Sequence, residues 1–219
     1  MKKGILFTRP NYDQATKCLH YISNNAVKEL EKVGEYQILK LDAEKATRSE
    51  FEKILKKRKP NLIILHGHGS KEDVTGHNNE VILDKDNIDL LSEKIIVAVA
   101  CDSLSGLGEY AVTTGSAKAY IGYKARFMVI TDPAASAALH RDKNLTPFIQ
   151  VYSMLISALA AGLTVGDAIE KTKELTRSLI REYGVYGIRD AYGDAPLIRW
   201  ALYWDLFFLN GLGDLESCV

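Results

Sequence analysis

The sequence is poor in the residues that build specialised chains. Among its 219 residues are three cysteines, five prolines, three methionines and two tryptophans. Cys18, Cys101 and Cys218 are too few and too far apart for a disulfide scaffold. Their odd number points to a reducing, cytoplasmic compartment. With so little proline and no low-complexity tract, there is no Pro-rich linker and no candidate domain boundary. Neither sign of charge is in excess, since 28 Lys plus Arg balance 28 Asp plus Glu. That balance gives no general attraction to nucleic acid or to an anionic membrane, and neither is expected as a partner. No apolar run reaches the roughly 18–20 residues that span a bilayer. The opening stretch Met1-Lys2-Lys3-Gly4-Ile5-Leu6-Phe7-Thr8 is basic and then apolar, but it stops at Arg9-Pro10. It reads as a first strand, not as a signal peptide.

What is present is globular. Hydrophobic residues make up 47% and charged residues 26%, near the average for folded domains. A chain of this length suits one domain over residues 1–219 and can bury a core without disulfides or metals. Short apolar runs alternate with amphipathic stretches. Gly4–Thr8, Tyr36–Leu41, Asn61–Leu65, Ile95–Ala100 and Tyr120–Tyr123 read as strands, and Val81–Leu83 as a hairpin arm. Ile95–Ala100 has no polar alternation, as expected of a central parallel strand covered on both faces. Thr16–Val33, Thr47–Lys57, Pro147–Ala161 and Thr164–Tyr183 have helical spacing, and Asn87–Ser92 suits a short helix. Gly34 ends the first helix, Gly162 separates the last two, and Thr164 with Asp167 has capping-box spacing. The alternation predicts an α/β fold, a three-layer α/β/α sandwich around a mostly parallel sheet.

In such sheets ligands bind beyond the carboxyl ends of the strands. Two of these ends carry chemistry. His66-Gly67-His68-Gly69-Ser70 follows the third strand and Cys101-Asp102-Ser103 follows the fourth. A thiol and an imidazole therefore emerge at one edge of the sheet. A thiolate is a nucleophile, and a nearby imidazole can assist it and protonate a leaving group. Gly69 leaves room for a substrate backbone, and its amide with that of Cys101 can face an oxyanion. His-Gly-His also suggests metal, but Asp73, His77 and Glu80 do not complete a zinc spacing, so no metal is expected.

These segments resemble the caspase-like cysteine peptidases, which include caspases, gingipains, legumains, separases and CHAT-domain proteases. The resemblance rests on Leu62-Ile63-Ile64-Leu65-His66-Gly67-His68-Gly69 and on Ile95–Ala100 followed by Cys101. Val74-Thr75-Gly76 is similar to the start of the small caspase hairpin. Leu107-Gly108 and Gly115–Gly122 look like the helix and next strand of CHAT-domain and gingipain-like members. Leu159–Ala168 resembles their late helix start. The likeness covers about residues 4–180 and leaves 184–219 as a C-terminal loop and packing segment.

The resemblance implies a caspase-like fold and a cysteine endopeptidase with a Cys-His dyad, acting through a thioester on a protein or peptide substrate and needing no cofactor. It implies His68 and Cys101 as catalytic residues. His68 is preferred because Gly67-His68-Gly69 matches the Gly-His-Gly of separases and gingipains, with His66 shaping the loop or contacting substrate. Val99 and Ser103 stand where the caspase pattern has Gln and Gly, which argues against caspase-type Asp specificity. Asp102, Ser103 and Asp132 are candidate substrate-binding residues, the two acids favouring a basic residue. Tyr123, Arg126 and Phe127 are expected beside the cleft. Gly76–Glu80 is a polar turn, and Tyr183–Gly187 with Tyr192-Gly193-Asp194 a Gly/Tyr-rich loop. Leu197–Leu209 is expected to pack on the core or on a partner. Cys18 reads as a packing residue and Cys218 as part of a mobile tail.

Other classes fit less well. An inactive caspase-like scaffold or partner-binding subunit, with a regulatory protein partner, keeps the same fold. An amidotransferase-like hydrolase needs a Gly-x-Cys-x-Gly elbow, whose Gly positions are Val99 and Ser103 here. A flavodoxin-like nucleotide binder needs a phosphate loop that neither His66–Ser70 nor Ser105–Gly108 supplies.

Overall fold

The computed structural model describes residues 2–189 and 194–219. In chain order the strands are β1 (Gly4–Arg9), β2 (Gln37–Asp42) and β3 (Leu62–His66), the short hairpin β4 (Val74–Thr75) and β5 (Val81–Leu83), then β6 (Ile95–Val99), β7 (Ala119–Tyr123) and β8 (Leu209–Gly213). The helices are α1 (Gln14–Val33), α2 (Arg48–Arg58), α3 (Leu107–Thr113), α4 (Thr146–Ala160), α5 (Val165–Glu182) and α6 (Ala195–Phe208). The protein is an α/β protein with a six-stranded mixed sheet in the order β2-β1-β3-β6-β7-β8. All neighbours are parallel except β7 and β8.

The unbroken apolar strands have helices on both sides. Successive side chains of a strand point to opposite faces. Ile5, Phe7, Ile64, Val97 and Val99 face one cluster with α1, α4, α5 and α6, where Ile22, Phe148, Ile169 and Ile198 meet them. Leu6, Ile63, Leu65, Ile96 and Ala98 face the other, with Phe51 and Leu55 of α2 and Leu107 and Ala111 of α3. A polar side chain on either face of β3 or β6 would be buried and need a partner, which is why Leu62–Leu65 and Ile95–Val99 lack alternation, and His66 at the end of β3 has such partners.

Local signals act where the sequence places them. Gly34 closes α1 in the left-handed conformation, φ 70°, and its N–H bonds to the Leu30 carbonyl. The Thr164 hydroxyl accepts from the Asp167 amide at 3.1 Å and starts α5. At the carboxyl end of β1, buried Arg9 grips Asp42 with two hydrogen bonds of 2.7 and 2.8 Å, tying β1 to β2.

Several expectations change. Asn87–Ser92 contains a single 3₁₀ turn, Ile88–Leu91. The aromatic segment is a helix that continues directly into an unforeseen antiparallel strand, β8. α6 buries Ile198, Ala201 and Leu202, while Leu197, Trp200, Tyr203 and Phe207 are exposed. The C-terminal tail is tied down. Val165 and Gly166 donate to the Ser217 and Leu215 carbonyls, and Val219 is buried, although Cys218 itself is exposed. Tyr192 and Gly193 of the Gly/Tyr-rich loop lie outside the described residues. No helix among the described residues is long and apolar enough to cross a membrane.

Candidate active site

β3 and β6 are parallel neighbours, and His66 is the register partner of Val99. Continuing that register two residues beyond the strand ends puts His68 level with Cys101. The backbone then fixes both loops. The Thr75 amide donates to the His68 carbonyl at 2.9 Å, and Ser70 donates to Asp73 at 2.9 Å. Gly67 is needed here, because a Cβ on it would sit 1.9 Å from the Thr75 carbonyl oxygen. Gly69 is needed for a related reason. A Cβ there would lie 2.7 Å from both the Ala100 Cβ and the Cys101 carbonyl oxygen. The two loops therefore touch through the Gly69 backbone. Neither the Gly69 nor the Cys101 amide donates to a backbone carbonyl among the described residues.

His68 has a partner that the sequence reading missed. Its Nε2 lies 2.7 Å from Asp13 Oδ2. Asp13 is the N-cap of α1, and its other oxygen accepts from the Thr16 amide at 2.8 Å and the Thr16 hydroxyl at 2.7 Å. Burial disfavours the Asp13 carboxylate, but the bonds from His68 and Thr16 outweigh it and hold the carboxyl below its ordinary value. The ionised oxygen can only accept, so Nε2 carries a proton and Nδ1 is left for proton transfer. The sequence marks Asp13 only as an acid ahead of a helix, and the pairing of β1 with β3 is what brings it to His68. Tyr12 packs edge-on to His68 with centroids 6.3 Å apart and donates to Asn79 at 2.6 Å. The polar turn at Gly76–Glu80 thus reaches the rim of the site.

Cys101 is half-buried. Burial pushes its thiol above the ordinary value and Asp102 adds to this, while the Phe127 amide and Arg126 oppose it. Cys101 and His68 line one cavity of about 360 Å³. From α1 it receives Gln14, Ala15, Cys18 and Leu19. The strand ends add Gly67, His68, Val99, Ala100 and Cys101, and the segment after β7 adds Phe127, Val129 and Thr131. α6 pins that last segment. Asp205 accepts from the Met128 amide at 2.9 Å, and Trp204 Nε1 donates to the Arg126 carbonyl at 2.7 Å. Burial pushes the Asp205 carboxyl well above its ordinary value, and the bond from the Met128 amide opposes this.

The other candidates are placed elsewhere. His66 is 1% exposed and does not line the cavity. Its Nδ1 donates to the Thr8 carbonyl at 2.8 Å, which leaves Nε2 to accept from the Tyr152 hydroxyl at 3.0 Å. Burial lowers its pKa to about 3. Asp102 takes a left-handed turn, φ 57°, and its amide donates to the Ala125 carbonyl; its side chain neither caps the turn nor lines the cavity. Ser103 is fully buried with its hydroxyl toward the Ala100 carbonyl. Asp132 caps the turn at Pro133–Ala135, accepting from the Ala134 amide at 2.9 Å, and it too lies outside the cavity lining. Of the expected neighbours, Phe127 lines the cavity, and the Tyr123 ring packs tilted against it with centroids 4.8 Å apart. Cys18 is a buried packing residue that also forms part of the cavity wall. Among the described residues no group of three or more His, Cys, Asp or Glu could hold a metal ion. No protein-family model matches the chain, and no curated protein matches it significantly.

Proposed function

We propose that this protein is a cysteine endopeptidase on a three-layer, caspase-like α/β/α fold, hydrolysing peptide bonds with Cys101 and His68. One observation carries the reading: Cys101 and His68 share a cavity, and His68 is held by Asp13 at 2.7 Å. The His loop after β3 and the Cys loop after its neighbour β6 support the family likeness, as do helices on both faces of the sheet.

The chemistry follows from these groups. The Cys101 sulfur attacks the scissile carbonyl carbon, and its proton passes to His68 Nδ1. The Gly69 and Cys101 amides stabilise the oxyanion. As the C–N bond breaks, His68 returns the proton to the departing amine, leaving a thioester. Water then attacks the thioester carbonyl, gives a proton to His68, and the sulfur leaves and recovers it. Asp13 orients the ring and stabilises its charged form, acting as a positioning residue. Burial keeps the resting thiol protonated at neutral pH, so its deprotonation accompanies the attack. A protein or peptide substrate, a regulatory protein partner and a cytoplasmic setting belong to this reading.

Cleavage of a mixed peptide library, followed by mass spectrometry, tests it. Cleavage that disappears in Cys101→Ala supports the proposal, and cleavage that persists in that variant refutes it. The exposed stripe Leu197, Trp200, Tyr203 and Phe207 favours a second reading, a non-catalytic subunit that binds a partner. An intact, folded protein that cleaves nothing would favour that reading.

A further inference from the structure

The cavity beside Cys101 has a chemistry that says which substrates it suits. Ala15, Cys18, Leu19, Val99, Phe127 and Val129 supply half of its lining residues. No carboxylate, lysine or arginine lines it among the described residues. The Cys18 thiol is pushed up to about 12, chiefly by burial, and so behaves as a small apolar group. The two acids that would draw in a basic residue, Asp102 and Asp132, lie outside the lining, and the Asp132 carboxylate is occupied by the Ala134 amide. A charged side chain entering this space would lose water and find no counter-charge in the lining, since the neighbouring Asp13 carboxylate is already engaged by His68 and Thr16. An apolar one would gain by leaving water. At about 360 Å³ the cavity falls in the ordinary range of ligand pockets, roughly 300–1,000 Å³.

Resting on the cysteine-peptidase reading above, we propose that this cavity receives the side chain on the acyl side of the scissile bond and selects a large apolar residue over a basic or acidic one. The acyl side follows from position. Cys101 and Ala100 are part of the wall, so the residue whose carbonyl the sulfur attacks has its side chain at the cavity mouth. That residue also stays attached through the thioester, and its fit acts on both halves of the reaction.

Peptidyl acyloxymethyl ketones that differ only in their last residue, Leu, Phe, Arg or Asp, provide the test. Each is incubated with the full chain, and modification of Cys101 is timed by mapped mass. The Leu and Phe probes are expected to react at least about tenfold faster than the Arg and Asp probes. Equal rates, or faster reaction of Arg or Asp, overturn the apolar selection but leave Cys101 as the nucleophile. No reaction with any probe, while iodoacetamide still alkylates Cys101, overturns the peptidase reading and the selection with it. A variant locates the selecting wall. Ala15 is exposed in the first turn of α1, where an acid suits the helix dipole, so Ala15→Glu should fold normally. It is expected to shift preference toward the Arg probe. An unchanged ratio of the Arg rate to the Leu rate in Ala15→Glu would place the selection elsewhere and overturn the proposal.

Discussion

Two histidines, separated by a single glycine, occupy opposite environments. His66 is the last residue of β3, fully enclosed, with both ring nitrogens engaged by Thr8 and Tyr152. His68 sits on the loop beyond, with a side chain 43% exposed and one nitrogen on Asp13. The strand end builds the core, and in the proposed function the loop carries the chemistry. A histidine with two neutral partners and no water has no reason to take a proton. A histidine facing a carboxylate and a cavity can exchange one.

The largest expected effect separates the two functionally. His68→Ala should lower peptide turnover by about 10²–10⁴-fold, the usual contribution of a positioned acid-base group. Its stability should fall by no more than about 1 kcal/mol, the usual worth of a solvent-accessible pair such as that with Asp13. An unfolded His68→Ala would blur the distinction. His66→Ala should do the reverse. It strands a buried carbonyl and hydroxyl and opens a cavity, so urea denaturation should show a loss of about 2–4 kcal/mol. An unchanged midpoint would mean that His66 is not a core residue.

pH sharpens the contrast. Folded His66 stays neutral down to about pH 3, whereas the unfolded chain's histidine takes a proton below about 6.5. The unfolded state therefore binds more protons in that window. Stability is constant above it and falls as the pH drops through it, by up to about 1.4 kcal/mol per unit from this residue. Asp13, whose carboxyl is held low, adds to the loss in the same direction at the acid end. Chemical denaturation at several pH values should show this slope in the parent and a shallower one in a His66→Gln variant.

The smallest effect concerns the positioning of His68. Asparagine caps helices as well as aspartate, so Asp13→Asn removes the charge and keeps α1. Turnover should fall by about five- to thirtyfold, the equivalent of 1–2 kcal/mol, with KM little changed. Turnover equal to the parent would reduce Asp13 to a helix cap.

Much of this arrangement was legible in the residues. Ile95–Ala100 could only be a doubly covered strand, and the His and Cys loops had to leave the same edge once β3 and β6 were parallel neighbours. Asp13 was not legible, because an N-cap acid before a helix is common and only the adjacency of β1 and β3 turns it toward His68. β8 was hidden for another reason. Leu209-Asn210-Gly211-Leu212-Gly213 has two glycines and little β propensity, and it becomes a strand by pairing with β7. The roles expected of Asp102 and Asp132 rested on charge type, and side-chain direction is not written in the sequence. Asp102 turns away on a left-handed backbone, and Asp132 spends its carboxylate on a cap.

The central claim is that Cys101 works with His68. The most direct measurement compares the parent and His68→Ala, with matched near-ultraviolet circular dichroism, for the rate at which a peptidyl acyloxymethyl ketone modifies Cys101. The account predicts a rate at least about a hundredfold lower in His68→Ala. Equal rates in the two proteins would contradict it.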